Sequence, residues 1–348
     1  MIPTKAFAAQ SAGASLAPFG FERRDPGPND VAIDIVNCGV CHTDIHFINN
    51  DFGMSLYPMV PGHEIVGKVT AVGAGVTKFK PGDLAGVGCL VDSCRRCEAC
   101  TAGLQQYCQG GWVLTYSGLE KDGKTVTQGG YSTKIVVDES FTLKLPPGIS
   151  LESTAPLLCA GITTYSPLRH WKVGKGQKVA VVGLGGLGHM GVKFAASLGA
   201  EVTVLSTSPS KKSDSTRLGA SDFLVTTDSA QVAKAANRFD FILDTLSASH
   251  DYNMYLAMLK PGGTMVCVGL PPEPMHIPAP TLVFARKSIA GSLIGGLPET
   301  QEMLDYCGTH KIAADVEVIP VQQINEAFKR MLRNDVKYRF VIDTKSLQ

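Results

Sequence analysis

The sequence lacks a long apolar run: nowhere do 18 consecutive apolar residues occur without a charge or turn residue between them. A membrane-spanning helix needs about 20 such residues, so none is expected. The first residues, M-I-P-T-K-A-F-A-A-Q, have no continuous apolar segment of the kind that secretory signals carry. We therefore expect a soluble cytoplasmic protein with no membrane partner.

An excess of charge of one sign is also lacking. The chain has 32 Lys and Arg against 31 Asp and Glu, with no long run of either sign. Proteins that bind nucleic acid or an anionic membrane usually present a basic patch, so neither partner is expected. No internal repeat or low-complexity tract occurs. The length of 348 residues suggests roughly two domains of ordinary size, each with its own core.

Cysteine, in contrast, is abundant, with ten residues. In a reducing compartment these act as thiols or metal ligands. Four of them have the spacing Cys94-x-x-Cys97-x-x-Cys100-x7-Cys108, which is typical of a closed tetrahedral structural zinc site. Two disulfides are the weaker alternative, and a zinc ribbon for nucleic acid would need more basic and aromatic neighbours. The sequence thus predicts a structural zinc lobe over residues 88–112.

The pattern of apolar residues changes near residue 150. Before it, short strand-like runs (31–36, 65–72, 131–137) lie between glycine and proline turns, which favours a β-rich domain. After it, apolar strands alternate mostly with helical segments, as a doubly wound parallel sheet requires. The predicted strands are 178–182, 201–205, 222–225, 239–243, 264–268 and 288–294. The tail after about residue 295 is expected to return to the first domain, since six strands complete the sheet.

The segment Gly183-Leu184-Gly185-Gly186-Leu187-Gly188 follows the first of these strands directly. A G-x-G-x-x-G motif between a strand and a helix is the dinucleotide-binding fingerprint. Its glycines permit a tight turn, the approach of backbone to a pyrophosphate and close helix–strand packing. Pyrophosphate would then bind at the helix N-terminus. A glycine-rich turn without a ligand is the weaker alternative.

The end of the next strand indicates which dinucleotide is bound. NAD enzymes carry an acidic residue about 20 residues after the glycines, where it bonds the ribose hydroxyls. This chain has Ser206-Thr207-Ser208, followed by Lys211 and Lys212. Hydroxyl and ammonium groups suit a 2′-phosphate, and no carboxylate repels it. We therefore predict NADP(H) rather than NAD(H).

Gly62-His63-Glu64 places an imidazole beside a carboxylate after a proline-rich turn. A zinc-protease motif would need a second histidine four residues after His63, but that residue is Gly67. The pair is then either a surface pair or part of a metal site whose other ligands lie far away. Cys41 and Cys159 are candidates, since two thiolates and one imidazole form a catalytic zinc set. No short motif joins these positions.

Together these motifs resemble the zinc-containing alcohol dehydrogenases of the medium-chain dehydrogenase/reductase superfamily, over nearly the whole chain. G-H-E-I-V-G-K-V-T-A-V-G-A-G-V (62–76) fits the zinc signature of that family at every fixed position. C-G-V-C-H-T-D-I-H (38–46), the four-cysteine lobe and R-K-S-I-A-G-S-L-I-G-G (286–296) are similar to the cinnamyl-alcohol-dehydrogenase-like subgroup. Members of that subgroup are broad aldehyde reductases that usually prefer NADP(H).

The resemblance implies an α/β protein in two parts, usually assembled as a homodimer. Residues 1–153 and 295–348 would form a GroES-like catalytic domain, and 154–294 a Rossmann dinucleotide-binding domain. The expected activity is reversible hydride transfer between NADPH and a zinc-bound aldehyde, with a primary alcohol as product. The aldehyde itself is not fixed by the resemblance, because the segment 110–130 that should help to line the substrate pocket matches no known subgroup.

The resemblance also assigns roles to single residues. Cys41, His63 and Cys159 would bind the catalytic zinc, and Glu64 could ligate when substrate or water leaves. Thr43 would bond the substrate oxygen, and His46 would end a proton relay. Two zinc ions per chain are therefore expected, one catalytic and one structural. The implied cofactor contacts are Thr43, Thr163, Gly183, Leu184, Gly185, Gly186, Leu187, Gly188, Ser206, Thr207, Ser208, Lys211, Thr245, Gly269, Ser292, Leu293 and Ile294.

Three alternatives remain beside this reading. A zinc polyol dehydrogenase is compatible with the four-cysteine lobe, but the usual ones use NAD. A zinc-free quinone reductase of the same fold would not need Cys41, His63 and Cys159 together. A non-catalytic NADP-binding protein would not need Thr43 and His46. Metal content separates these cases from a two-zinc enzyme.

Overall fold

The computed structural model describes residues 1–347. These form two compact units: Met1–Ile162 with the chain from Gly295 onward, and Thr163–Ile294. Among the described residues, no helix is both long and apolar enough to span a bilayer.

The described residues contain strands and helices throughout both units. The strands are β1 (Ile2–Ala8), β2 (Ala17–Arg23), β3 (Asp30–Gly39), β4 (Ile65–Val72), β5 (Leu84–Val87), β6 (Leu90–Asp92), β7 (Val113–Leu114), β8 (Lys134–Asp138), β9 (Leu143–Lys144), β10 (Lys178–Val182), β11 (Glu201–Ser206), β12 (Asp222–Val225), β13 (Phe239–Asp244), β14 (Leu259–Cys267), β15 (Ser288–Gly291), β16 (Val316–Pro320) and β17 (Arg339–Asp343). The α-helices are α1 (His42–Asn49), α2 (Glu98–Thr101), α3 (Leu151–Thr154), α4 (Ala160–His170), α5 (Gly188–Ser197), α6 (Lys212–Arg217), α7 (Ser229–Lys234), α8 (Tyr252–Met258), α9 (Ala279–Val283), α10 (Leu297–His310) and α11 (Ile324–Leu332). Short 3₁₀ turns lie at Gln105–Tyr107, Glu139–Phe141, Ala155–Leu158, Pro209–Lys211, Val321–Gln323 and Thr344–Leu347.

The first unit is built on a seven-stranded sheet with the order β16-β17-β3-β4-β5-β9, in which β8 also pairs with β3. Strand β3 is central because it pairs with β4, β8 and β17, and its residues are almost entirely buried. It pairs antiparallel with β17, where Val341 faces Gly39. The C-terminal part of the chain therefore completes the sheet that the N-terminal part begins.

The second unit confirms the predicted doubly wound parallel sheet. Its six strands have the order β12-β11-β10-β13-β14-β15, and every neighbouring pair is parallel. A helix lies between each pair of successive strands. The inner strands β10, β11 and β13 are apolar and largely buried, as expected for a sheet covered on both faces, whereas the edge strands β12 and β15 are more exposed. The strand order reverses between β10 and β13, and ligands bind beside the carboxyl ends of strands at such a point. The glycine-rich segment 183–188 begins at the carboxyl end of β10.

The boundary between the units lies after Ile162, later than the expected boundary after residue 153. The reason is packing of the segment 154–162 within the first unit. Leu157 and Leu158 are fully buried, and a Cβ placed on Gly86 of β5 would lie 3.2 Å from Leu158 Cδ1. This packing places Cys159 in the first unit.

Candidate metal centres and cofactor loop

Among residues 1–347, one group of buried side chains brings together Cys41, His63, Glu64 and Cys159, whose ligand atoms all lie within 4.8 Å of one another. Each comes from an element end: Cys41 immediately precedes α1, His63 and Glu64 precede β4, and Cys159 lies between a 3₁₀ turn and α4. The two thiol sulfurs are 3.9 Å apart. Zn–S bonds of 2.3 Å in a tetrahedron require about 3.8 Å, so this donor set fits zinc.

The charges of this group compensate one another. The neighbouring thiol of Cys159, together with Arg339 and His63, holds the pKa of Cys41 well below its usual value although burial opposes this. Burial raises the pKa of Glu64 to about 8, against the effect of Arg339. Glu64 Oε1 accepts a hydrogen bond from Arg339, while the buried Oε2 has no partner. A cation bound by the thiols would favour the carboxylate form of Glu64, because it would add a second positive charge beside that of Arg339.

The second group consists of Cys94, Cys97, Cys100 and Cys108, again with sulfurs within 4.8 Å of one another. The distances Cys94–Cys100 and Cys97–Cys108 are both 3.9 Å, so this set also fits tetrahedral zinc. Backbone N–H groups lower the pKa of Cys97 to about 6, which favours the thiolate that zinc binds. All ten cysteines are free thiols, so the disulfide alternative is not observed.

Helix α1 carries the two residues expected to handle the proton. Thr43 Oγ1 lies 3.5 Å from Cys41 Sγ, beside the first group. His46, one turn later, is partly exposed, and its Nδ1 lies 2.7 Å from Asp51 Oδ2. This contact leaves Nε2 as the nitrogen of His46 that can exchange a proton.

Two residues beside the first group were missed by the sequence analysis. Arg339, in β17, is 275 residues from its partner Glu64, and no local pattern signals such a contact. Cys89, to which no sequence motif assigns a role, interacts through its thiol with Cys159, which lowers the pKa of Cys89. Its partial exposure and this contact place it at the edge of the metal group.

The segment 183–188 has the geometry of a dinucleotide-binding turn. Gly183 adopts φ +85°, and a Cβ on Gly188 would lie 2.1 Å from Gly183 O, so neither position accepts another residue without strain. A Cβ on Gly185, in contrast, would meet no described atom within 4 Å. The backbone at Gly185 therefore borders open space at the N-terminus of α5, where a pyrophosphate fits.

The residues after β11 lie beside this turn. Lys211 Nζ donates a hydrogen bond to Leu184 O at 3.0 Å, and burial lowers the pKa of this lysine. Ser206 Oγ accepts from the Ser208 N–H at 3.2 Å, whereas Thr207 is exposed. An ammonium group and hydroxyls thus flank the glycine turn, and no carboxylate ends β11.

The remaining expected cofactor residues mostly follow the carboxyl ends of the strands of the parallel sheet. Thr245 donates to Val182 O at 2.7 Å, and the Ser292 N–H donates to Cys267 O at 3.2 Å. Gly269 lies so close to Leu246 that a Cβ would be 2.0 Å from its carbonyl oxygen. Leu293 is exposed, Ile294 adopts φ +37°, and Thr163 is buried in α4. The backbone therefore contributes more than the side chains to the shape of the surface at the carboxyl ends of these strands.

Comparison with known proteins agrees with both units. Residues 27–147 match the alcohol dehydrogenase GroES-like domain family, and residues 186–308 match the zinc-binding dehydrogenase family. The NADP-dependent alcohol dehydrogenase C 1 of Mycolicibacterium smegmatis is 54% identical over 100% of both chains.

Two solved structures have the same fold. Cinnamyl alcohol dehydrogenase from Sorghum bicolor superimposes with a TM-score of 0.96 and 47% identity over 99% of this chain and 98% of that one. The Helicobacter pylori cinnamyl alcohol dehydrogenase complexed with NADP(H) gives 0.92 and 40% over 99% of each chain. The chain therefore belongs to the cinnamyl-alcohol-dehydrogenase-like zinc-containing alcohol dehydrogenases of the medium-chain dehydrogenase/reductase superfamily.

Proposed function

We propose that this protein is an NADP(H)- and zinc-dependent alcohol dehydrogenase that acts as an aldehyde reductase, converting a broad range of aromatic and aliphatic aldehydes to primary alcohols. The observation that carries the proposal is the buried group of Cys41, His63, Glu64 and Cys159, whose sulfur spacing of 3.9 Å suits zinc. Two relatives support the cofactor: one is named as NADP-dependent and one was solved with NADP(H).

Cys41, His63 and Cys159 would hold a zinc ion in the first unit. A zinc ion bound there would supply a Lewis acid for the carbonyl oxygen of the substrate. The thiolates of Cys41 and Cys159 would balance the charge of the dication, and three protein ligands would leave a position for the substrate. Glu64 keeps one unpartnered buried oxygen, which can replace a departing ligand.

The proton needed for alcohol formation is supplied by α1. Thr43 Oγ1, next to the metal ligands, donates a hydrogen bond to the substrate oxygen. His46 exchanges the proton with solvent through Nε2, because Nδ1 is held by Asp51. An imidazole suits this task, since its ordinary pKa lies near neutrality.

The glycine turn of the second unit would hold the dinucleotide, which would supply the hydride when bound as NADPH. Lys211, Ser206 and Ser208 select NADP(H), because an ammonium and hydroxyl groups bind a 2′-phosphate that a carboxylate would repel. Thr43, Thr163, Thr245, Gly269 and the segment 292–294 complete the contacts.

We also propose the assembly and the compartment. The first unit is the catalytic domain and the second the dinucleotide-binding domain of a homodimer. Strand β15 is at the edge of its sheet, and Val283 and Phe284 nearby in sequence are 70% and 87% exposed; a second copy would cover such groups. Light scattering tests the dimer, and a monomer at micromolar concentration would contradict it.

The proposed compartment is the cytoplasm, because ten free thiols favour a reducing environment.

Metal analysis and kinetics test the function together. The purified protein should contain two zinc ions per chain. Cys41→Ser should contain one and lose turnover with NADPH binding kept, while Cys307→Ser, the same change in a buried thiol outside both groups, should contain two. NADPH oxidation is then screened across aromatic, aliphatic and branched aldehydes. Equal efficiency with NADH would overturn the cofactor assignment, and higher kcat/KM for a polyol with NAD⁺ than for any aldehyde would overturn the substrate class.

A further inference from the structure

Asp44 connects two segments that carry metal ligands. The side chain is fully buried. Its Oδ2 accepts from the Cys41 N–H at 2.9 Å, and its Oδ1 accepts from the Gly62 N–H at 3.2 Å. Oδ1 also lies 3.4 Å from His63 Nδ1. The orientation of the His63 ring, with Nε2 left for the metal, therefore depends on where this carboxylate is held.

A tyrosine hydroxyl holds the carboxylate of Asp44 from a distant part of the chain. Tyr131 is fully buried, and its hydroxyl donates to Asp44 Oδ2 at 2.8 Å. Burial raises the pKa of Tyr131 well above its usual value, so the phenol remains a donor. The 87 residues between the two positions make this a tertiary contact that no local motif indicates.

The backbone around Tyr131 is fixed against the segment that precedes His63. The N–H groups of Gly129, Gly130 and Tyr131 donate to the carbonyls of residues 60, 62 and 61, at 2.7, 2.8 and 2.9 Å. A Cβ on Gly129 would lie 2.4 Å from Pro61 O, so only glycine allows this approach. Tyr131 is thus supported by three hydrogen bonds on one side.

A half-buried arginine supports the same segment from the other side. Arg23 Nη2 donates to the carbonyl oxygens of Gln128 and Gly129, at 2.8 and 3.1 Å, and to Ser132 Oγ at 3.1 Å. These acceptors are neutral, and burial lowers the pKa of Arg23 to about 9. A half-buried cation that bonds neutral oxygens instead of a carboxylate indicates that the position of this turn matters.

We propose that Tyr131 is a positioning residue for the metal centre: its hydroxyl fixes Asp44, and Asp44 fixes His63 and the N-terminus of α1. The proposal rests on the zinc-dependent function proposed above. Groups beyond the ligands orient them, and their loss typically lowers metal affinity or activity by about 10- to 100-fold. Tyr131→Phe removes only the hydroxyl and keeps the ring that packs against Gly62.

The test measures release of zinc from the holoenzyme to a coloured chelator. Tyr131→Phe should release one of its two zinc ions about tenfold faster than the wild-type protein. This is the low end of the roughly 10- to 100-fold range, because the hydroxyl acts on the ligand only through Asp44. The other ion should leave at the wild-type rate. The single phase of Cys41→Ser identifies the ion of the four-cysteine group. In a cobalt-substituted sample, Tyr131→Phe should also shift the visible absorption of the catalytic site.

Tyr57→Phe is the matched control. This variant also removes one tyrosine hydroxyl from the first unit. The Tyr57 hydroxyl donates to Ile48 O at 2.7 Å and makes no hydrogen bond to Asp44. Zinc release from Tyr57→Phe should equal that of the wild type. Wild-type rates for both ions of Tyr131→Phe, or equal acceleration in both variants, would overturn the role of Tyr131. A wild-type protein with a single zinc ion would instead overturn the proposed function.

Discussion

Arg339 Nη2 donates a hydrogen bond to Glu64 Oε1, and both side chains are buried, 275 residues apart in the sequence. Burial alone would lower the pKa of Arg339, but Glu64 and the thiols of Cys41 and Cys159 raise it. The arginine therefore carries a fixed positive charge beside the metal ligands. It keeps Glu64 close to them while one oxygen of Glu64 stays unpartnered.

Replacing Arg339 by glutamine should destabilise the protein strongly. Removing one partner of a buried ion pair leaves the other charge uncompensated and typically costs about 3–5 kcal/mol of the free energy of unfolding. Denaturation in guanidinium, followed by circular dichroism, measures this loss. Arg330→Gln is the control, because Arg330 pairs with Glu317 at a site where both are partly exposed, and its loss should be clearly smaller. Equal losses for the two variants would contradict the prediction.

Lys211→Ala should weaken the binding of NADPH and leave that of NADH nearly unchanged. Hydrogen bonds to charged groups contribute about 1.5–3 kcal/mol, or roughly 10- to 150-fold in affinity. Lys212→Ala is the matched control, since Lys212 is exposed while Lys211 contacts Leu184 of the glycine turn. Steady-state KM values for both cofactors decide the question. A proportional rise for NADPH and NADH in Lys211→Ala would remove Lys211 from 2′-phosphate binding.

His46→Gln should slow aldehyde reduction and change the pH dependence of kcat, with zinc content unchanged. General acid–base groups contribute about 100- to 10,000-fold, and a residue at the solvent end of a relay is expected at or below the low end because water can replace it. Asp51→Asn should have a smaller effect of the same kind, because Asp51 holds only Nδ1. A pH profile identical to that of the wild type would exclude His46 from the relay.

His250 should make the stability of the protein depend on pH. Burial alone would lower its pKa, but the Asp244 carboxylate, 3.0 Å away, and the Ala248 carbonyl raise it above the ordinary value. A raised folded-state pKa means that the charged histidine stabilises the fold fully below about pH 6.5, and that this contribution is lost as pH rises through the folded-state pKa. The Tm difference between wild type and His250→Gln should thus be larger at about pH 6 than at about pH 9. His276→Gln, at an exposed histidine, should show no such trend, and a pH-independent difference for His250→Gln would contradict the pairing.

The parts of the site that could be predicted are those whose chemistry is local. Four cysteines within 15 positions, Cys94 to Cys108, can converge only on a shared ion or on disulfides. The glycine turn is equally local, because the strand before it and the helix after it are short-range patterns. The six parallel strands were predictable for the same reason, although β14 begins at Leu259, earlier than the expected residue 264, and β15 ends at Gly291.

The catalytic group needed more than local pattern. Donor chemistry made Cys41 and Cys159 candidate partners of His63, but only the resemblance to a family assigned the three to one site, since nothing in their spacing brings them together. Neither the sequence pattern nor the family resemblance indicated Arg339. Cys41, His63 and Arg339 lie near the ends of β3, β4 and β17, whose positions are set by the pairing of β3 with the other two strands. Cys159 is placed by the packing of the segment 154–162 in the same unit.

By itself, the sequence determined a four-cysteine cluster suited to zinc, a dinucleotide-binding turn and the absence of an acidic residue that would repel a 2′-phosphate. Only the tertiary structure decided how the catalytic ligands are held. Helix α1, the segment before β4 and the segment 128–131 meet through Asp44 and Tyr131, while β17 brings Arg339 to Glu64. The physical reason is that hydrogen bonds between buried groups depend on distances in space, and strand pairing, rather than spacing along the chain, sets those distances.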